Sequence, residues 1–196
     1  MASKKAKPVL YRRKRELKTN YKKRLRLLMS KKHRLVLRIS NQKIMAQVVG
    51  FEVQGDKVHI ATSSDSLLKS GWSYSLKNFP AAYLTGLNLA KLAKEKIGNE
   101  ELILDTGFRT PLKKGKIYAF LKGALDGGLN VKHRDSEDIF PSEEKISGKD
   151  IQNYASSLKE KSPEEFQKKF TSYLKNNADP TQMSAIFEKV KVKLSS

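Results

Sequence analysis

Residues 34–63 read RLVLRISNQKIMAQVVGFEVQGDKVHIATS, and this stretch decides the fold class. RLVLRIS (34–40) is apolar, with strand alternation toward its end. After a turn around Asn41-Gln42 comes KIMAQVVGFEVQ (43–54). Gly55-Asp56 is a hairpin signal, and KVHIATS (57–63) returns. Short β-rich runs joined by tight turns make an antiparallel meander.

Toward the C-terminus the period changes. Residues 64–79 read as a short helix or turn followed by a loop. Pro80, after Asn78-Phe79, suits the first helical position. The helix AAYLTGLNLAKLAKEKI then runs to Gly98, a residue type that ends helices. Its Ala82, Gly86, Ala90, Ala93 and Ile97 form a small-residue stripe that lets it approach a sheet closely. ELILDTG (101–107) suits a buried strand. Residues 114–126 predict a second helix, with Tyr118, Leu121 and Leu125 periodic, and LNVKH a last strand after Gly127-Gly128. Three strands, helix, strand, helix, strand imply an α/β fold with a mixed sheet, antiparallel first and parallel later.

Residues 134–160 are polar and read as loop-rich with a short helix. Two helices are expected in the tail, one starting at Ser162-Pro163-Glu164-Glu165 and one at Asp179-Pro180. The expected organisation is a basic N-terminal arm and helix (1–30), an α/β domain (31–133) and a C-terminal loop and helical extension (134–196).

The chain has 196 residues and a net charge of +20. Residues 1–40 hold 16 Lys or Arg and one acid, so three quarters of the excess lies in one fifth of the chain. Such asymmetry points to a polyanion gripped by the N-terminal arm. Residues 1–18 read as extended or weakly ordered when free. Thr19 or Asn20 can cap a helix to about Ser30. In that helix Tyr21, Leu25, Leu28 and Met29 form one apolar stripe, suited to docking. Lys22, Lys23, Arg24 and Arg26 populate the rest.

Catalytic patterns are weak. Cysteine is absent, which removes disulfides, thiolate catalysis and Cys-based zinc sites. LILDTG resembles an aspartic-protease half-site, but Phe108 and Arg109 follow, and a strand end with a glycine turn explains it better. His33, His59 and His133 are scattered without metal-ligand spacing, and no phosphate-binding glycine loop is present. No cofactor, metal or catalytic residue is expected. Asp65, Asp105 and Asp126 leave a nuclease as the alternative reading. No apolar run approaches the roughly 20 residues of a membrane span, and no secretory apolar region follows the basic start. The arm helix has a narrow apolar stripe without Trp or Phe, poor for a membrane surface. No helix-turn-helix or heptad pattern points to DNA.

RNA remains. Arginine's planar fork and lysine's point charge suit phosphates, and tyrosines offer faces on which bases stack. Tyr11, within YRRKR, is assigned to RNA; Tyr21, on the apolar stripe, leans toward packing. Lys31, Lys32, His33 and Arg34 form a second basic knot, which Arg38, Asn41 and Lys43 extend along the hairpin. Arg109, Lys113, Lys114 and Lys116 form a third.

At this point the segments YRRKRELKTNYKKRLRLL, RLVLRISNQKIMAQVV, GWSYSLKNFPAAYLTGLNLAKLA, ILDTGF and KGKIYAFLKGALDGGL together resemble one family. It is the 5S-rRNA-binding protein of the large ribosomal subunit, family number eighteen in the universal scheme and protein five in eukaryotes. The resemblance runs from about Val9 to about Lys189, with NFPAAYLTGL and LKGALDGGL its most specific pieces. The tail is similar to the extension of the archaeal and eukaryotic branch, and the compact length resembles archaeal members.

The resemblance implies a non-enzymatic ribosomal protein in the cytoplasm. It would bind 5S rRNA, touch the large-subunit rRNA and neighbouring ribosomal proteins, and seat 5S rRNA in the central protuberance. By the same resemblance, Tyr11, Arg12, Arg13, Lys14, Arg15, Lys18, Thr19, Tyr21, Lys22, Arg24 and Arg26 match the family's RNA-binding arm. Arg34, Arg38, Asn41 and Lys43 match a strand-and-turn surface. Leu17 departs from the small residue expected there, and a helix could continue through it. Gly71-Trp72 matches a family loop, with Trp72 either on RNA or packed.

Overall fold

The computed structural model describes residues 9–134 and 136–195, with only the backbone at Glu137. The part of the basic arm at residues 1–8 lies outside the described residues.

Two short helices open the chain, α1 (Arg12–Arg15) and α2 (Tyr21–Met29). The meander follows as β1 (Arg34–Ile39), β2 (Ile44–Glu52) and β3 (Gly55–Ser63), each antiparallel to the next. Beyond a single turn, α3 (Ser66–Lys69), come the long α4 (Phe79–Ile97), β4 (Leu102–Asp105), α5 (Lys116–Asp126) and β5 (Val131–Lys132). β4 and β5 add in parallel, so the five-stranded sheet has the order β3-β2-β1-β4-β5. The expected mixed α/β sheet is therefore the observed one.

One register detail departs from simple alternation. Val48 pairs with Ile60 but Val49 with Val58, leaving His59 as the extra residue of a β-bulge. Its ring meets His33 edge-on, 4.8 Å between centroids.

One sheet face carries Leu35, Leu37, Ile44, Ala46, Val48 and Leu102 against Ala82, Leu89, Ala90 and Ala93 of α4 and Phe120, Leu121 and Ala124 of α5. From Pro80 to Ala90 α4 is buried on nearly every side, as a helical stretch with apolar residues all round must be, and its last two turns emerge into solvent. Its second side, with Tyr83, Leu84 and Leu87, packs against Met183, Phe187, Val190 and Leu194 of the tail. The molecule thus has three layers, with α4 in the middle one.

The small-residue stripe of α4 works differently from the sequence expectation. Its tightest contact is with α5 rather than the sheet. A Cβ on Gly86 would lie 2.2 Å from the Phe120 carbonyl oxygen, and one on Gly123 would lie 2.1 Å from that of Tyr83. Two glycines therefore let two backbones touch. Helix propensity alone says that Gly123→Ala gains up to about 1 kcal/mol. Overpacking against a carbonyl costs about 1–3 kcal/mol or more, so a lowered melting temperature is expected; an unchanged or raised one would refute the interlock.

The tail also corrects the sequence reading. Residues 134–160 are largely helical rather than loop-rich, with α6 (Glu143–Ser147) and α7 (Lys149–Lys161) joined at Gly148, whose φ is 81°. α8 (Pro163–Lys169), α9 (Thr171–Lys175) and α10 (Met183–Ser195) complete it, with Ser162 and Asp179 preceding the expected starts. Trp72 belongs to this layer. It is fully buried, its ring 5.1 Å from that of Tyr74, and the Tyr74 hydroxyl donates to the Asp179 carbonyl (2.6 Å). Trp72 therefore packs, and the C-terminal helices rest on α4.

Candidate nucleic-acid interface

The helices cover one sheet face, and the arm crosses the other. α1 is a single turn of RRKR that stops at once. Leu17 sits at φ 51°, and the Lys18 N–H reaches back to the Arg13 carbonyl (2.9 Å) while the Leu17 N–H bonds that of Lys14 (3.2 Å). This is a Schellman C-cap with leucine where glycine is normal. The helix does not continue through Leu17; the arm turns there. Arg13 Nε then donates to Thr19 Oγ1 (2.8 Å), and the Tyr11 and Tyr21 rings lie 5.3 Å apart.

Asn20 caps α2, its side chain accepting from the Lys23 N–H (3.0 Å). The docked side of this helix joins Lys23 and Arg24 to half-buried Leu27 and Leu28, so it only partly coincides with the expected apolar stripe. Lys23 Nζ donates to Thr106 Oγ1 and to the Gly107 carbonyl, both at 3.0 Å. Arg24 grips Asp56 with both Nη atoms at 2.7 Å. Leu25 and Met29 of the apolar stripe remain exposed. The reason is charge. The sheet face beneath holds Asp56 and Asp105, and a half-buried carboxylate without a cation costs more than two surface apolar side chains gain.

Those carboxylates link into a chain. Arg34 Nη2 lies 2.8 Å from Asp56, misaligned for a hydrogen bond, and Arg34 Nη1 donates to Asp105 at 3.3 Å. Asp105 in turn accepts from the Gly107 N–H (2.8 Å) and lies 3.5 Å from Arg38. Arg38 also donates to the Asp105 carbonyl (2.7 Å). A cavity of about 240 Å³ between arm and sheet is lined by Arg13, Lys23, Arg34, Arg38, Gln47 and Asp105. The DTG motif is thus a strand end whose aspartate organises arginines.

The expected site residues now separate by availability. Arg34 is withdrawn as a contact surface: it is 3% exposed and committed to two aspartates. Arg24 and Lys23 are fixed in holding α2, and Arg38 is partly engaged. Lys32 pairs with Glu101, His33 Nδ1 lies 2.7 Å from Glu100, Lys43 pairs with Asp65, and Lys113 and Lys114 share Asp138. Arg12 and Lys18 share the exposed Glu16, contacts of the sort worth about 0–1 kcal/mol that a phosphate can replace. Lys14, Arg15, Lys22, Arg26 and Lys31 are exposed and have no ion pair among the described residues. Asn41, Arg109 and Lys116 lie together at another end of the sheet. The three aspartates of the nuclease alternative do not gather. Asp65 serves Lys43, Asp105 serves the arginines, and Asp126 accepts from the Tyr83 hydroxyl.

Asp56 is the residue the sequence reading missed. Gly55-Asp56 signals a hairpin whatever else the aspartate does, so its role as the arm's anchor left no local trace. Hydrogen bonds from Arg24 hold its carboxyl below the usual carboxylate range, with Arg34 adding to the effect against burial. A lowered folded-state pKa makes the anchoring fully present above about pH 4, the unfolded carboxylate value, and lost as pH falls through the folded value. Amide exchange in α2 is therefore expected to accelerate below that pH while α4 stays protected. Equal acceleration in both helices would refute local undocking.

The model of a family described as ribosomal large subunit proteins 60S L5 and 50S L18 matches residues 5–103. A curated protein of Korarchaeum cryptofilum, named large ribosomal subunit protein uL18, is 45% identical over 189 residues, which cover 96% of this chain and 94% of that protein. The region matched by the family model holds the arm, the meander and α4, including the Arg24–Asp56 anchor, while Asp105, Thr106 and Gly107 lie just beyond it. The chain therefore belongs to the family of large-subunit ribosomal proteins 60S L5 and 50S L18, and it is a structural, non-catalytic constituent of the cytoplasmic ribosome.

Proposed function

We propose that this protein binds 5S rRNA through its N-terminal arm and helps attach it to the large-subunit rRNA in the central protuberance. The observation that carries this reading is the row of exposed cations on α1 and α2, of which Lys14, Arg15, Lys22 and Arg26 have no ion pair among the described residues, held outward because Lys23 and Arg24 bind the sheet. Arg12, Arg13, Lys14, Arg15, Lys18, Lys22 and Arg26 supply phosphate contacts in this reading. Tyr11, 73% exposed beside Tyr21, supplies a stacking face. Lys23, Arg24, Arg34 and Arg38 act one step removed, by setting the direction of the arm.

Residue-resolved crosslinking in intact large subunits tests it. Crosslinks from Tyr11 and from the lysines of α1 and α2 to 5S rRNA are expected. Arm crosslinks only to proteins, or none to RNA, would overturn the reading.

A further inference from the structure

His33 and His59 lie far apart in the chain, yet the sheet brings their rings together. His33 immediately precedes β1, and its carbonyl accepts from the Ile103 N–H of β4 (3.0 Å). His59 is the extra residue of the β3 bulge. Between them lies Gly50 of β2, whose missing side chain makes the room. A Cβ there would stand 2.6 Å from His59 Nε2 and 3.1 Å from His33 Nε2. Both Nε2 atoms therefore border one small space, in a cleft of about 340 Å³ lined by His33, Gly50, Glu52 and His59.

The other nitrogen of His33 is occupied. Nδ1 lies 2.7 Å from a Glu100 carboxylate oxygen, which holds the proton on that side and leaves the Nε2 lone pair available. A carboxylate behind an imidazole is the usual outer support of a metal-ligating histidine, because it fixes the tautomer and orients the ring. Neither Nε2 has a hydrogen-bond partner among the described residues. Ring spacing also fits. Two imidazoles sharing a tetrahedral ion at about 2.0–2.1 Å from each nitrogen place their ring centroids about 5 Å apart. The observed separation is 4.8 Å, with the rings nearly perpendicular.

Local charge permits a dication. Around the pair stand Lys31, Lys32 and Lys57 and, in equal number, Glu52, Glu100 and Glu101, so this end of the sheet is balanced where the arm is not. No third imidazole, thiolate or carboxylate completes a cage among the described residues, which leaves the remaining positions to water. Imidazole ligands suit ions of the zinc class, whereas Mg²⁺ and Ca²⁺ seek oxygen.

We propose that His33 and His59 bind one divalent transition-metal ion of the zinc class through their Nε2 atoms. The ion clips the start of β1 to β3 across Gly50 of β2, close to where α2 ends at Met29. This site stands apart from the RNA reading, since no residue of α1 lines the cleft.

The test titrates the RNA-free full chain with ZnCl₂ by calorimetry, with MgCl₂ as the control ion. One zinc per chain is expected, and no binding of Mg²⁺. Glu100→Gln should weaken zinc binding by about 10-fold or more, the loss typical of an outer-shell partner. His33→Gln and His59→Gln should each cost more than that. Gly50→Ala keeps both imidazoles but displaces the His59 ring, and it should weaken binding as well. His133→Gln should leave the affinity unchanged, because His133 Nδ1 already lies 2.7 Å from the Val131 carbonyl at another strand. In the wild-type protein, zinc should shift the Nε2 resonances of His33 and His59 and not those of His133, a readout that needs no variant to fold. Folded wild type that binds no zinc, or zinc binding that survives both His33→Gln and His59→Gln, would overturn the site. So would shifts spread equally over all three histidines.

Discussion

Replacing Arg12, Arg13, Lys14 and Arg15 together by Gln will weaken 5S rRNA binding by about 10²–10⁴ at 100 mM salt and leave the melting temperature nearly unchanged. The affinity loss follows from ion release: each neutralised phosphate contributes about 0.9 to the log–log salt slope, or about tenfold at 0.1 M salt relative to 1 M. Two to four lost contacts span the stated range. The unchanged stability follows from position, since α1 has no buried residue and its one ion pair among the described residues is with exposed Glu16. If six to ten phosphates are neutralised, the wild-type protein should itself lose about 10³–10⁵ in affinity between 50 and 200 mM salt. A flat salt response, or a quadruple variant that binds like wild type, would remove the arm from the interface. Arg24→Gln should behave differently. It frees one end of α2 from Asp56 and should raise amide exchange in that helix before it changes the salt slope.

Asp105→Ala is expected to destabilise the fold by about 3–5 kcal/mol, the cost of stripping one partner from a buried ion pair. The side chain of Asp105 is 10% exposed and faces that of Arg34, which is 4% exposed. Its removal leaves a buried guanidinium whose Nε already lacks a partner. It also removes the acceptor for the Gly107 N–H, in a turn where Gly107 has φ 63°. Asp56 keeps one contact to Arg34, which places the expected loss toward the lower end of the range. Asp105→Asn retains the turn bond and should lose less than Asp105→Ala. Adding Arg34→Met to Asp105→Ala should recover part of the loss, because replacing both members of a buried pair by apolar groups is often close to neutral. Chemical denaturation of the two single variants and the double variant measures the coupling. Additive losses would show that the two side chains do not depend on each other. In none of these variants should RNA cleavage in Mg²⁺ change, since Asp105 orders arginines and turns over no substrate.

Much of the fold was legible in the chain. Residues 34–132 announced every strand and both long helices, because strand alternation, the Asn78 cap and Gly98 are local signals acting within a few residues; the β2–β3 turn itself falls at residues 53–54, two positions before the expected Gly55-Asp56, which already belong to β3. The helices between Glu143 and Lys161 were not legible. They are mostly polar, and Ile146, Ile151 and Ala155 become an apolar face only once Met183, Phe166 and Phe170 stand opposite. The small-residue stripe of α4 was visible, but not its partner, since Gly123 lies more than 35 residues away in another helix.

By itself the sequence determined the order of elements, the mixed sheet, the concentration of charge near the amino end and the family resemblance, all of which rest on residue type and short-range spacing. Only the tertiary structure decided which cations face outward. Asp56, Glu100, Glu101, Asp105 and Asp138 are remote in the chain from most of the cations they neutralise. Charge availability depends on distances of a few ångströms across the fold, because desolvated opposite charges must pair. Arg34 and Lys14 look alike in the chain; one is sealed between two carboxylates, and the other meets solvent on the arm.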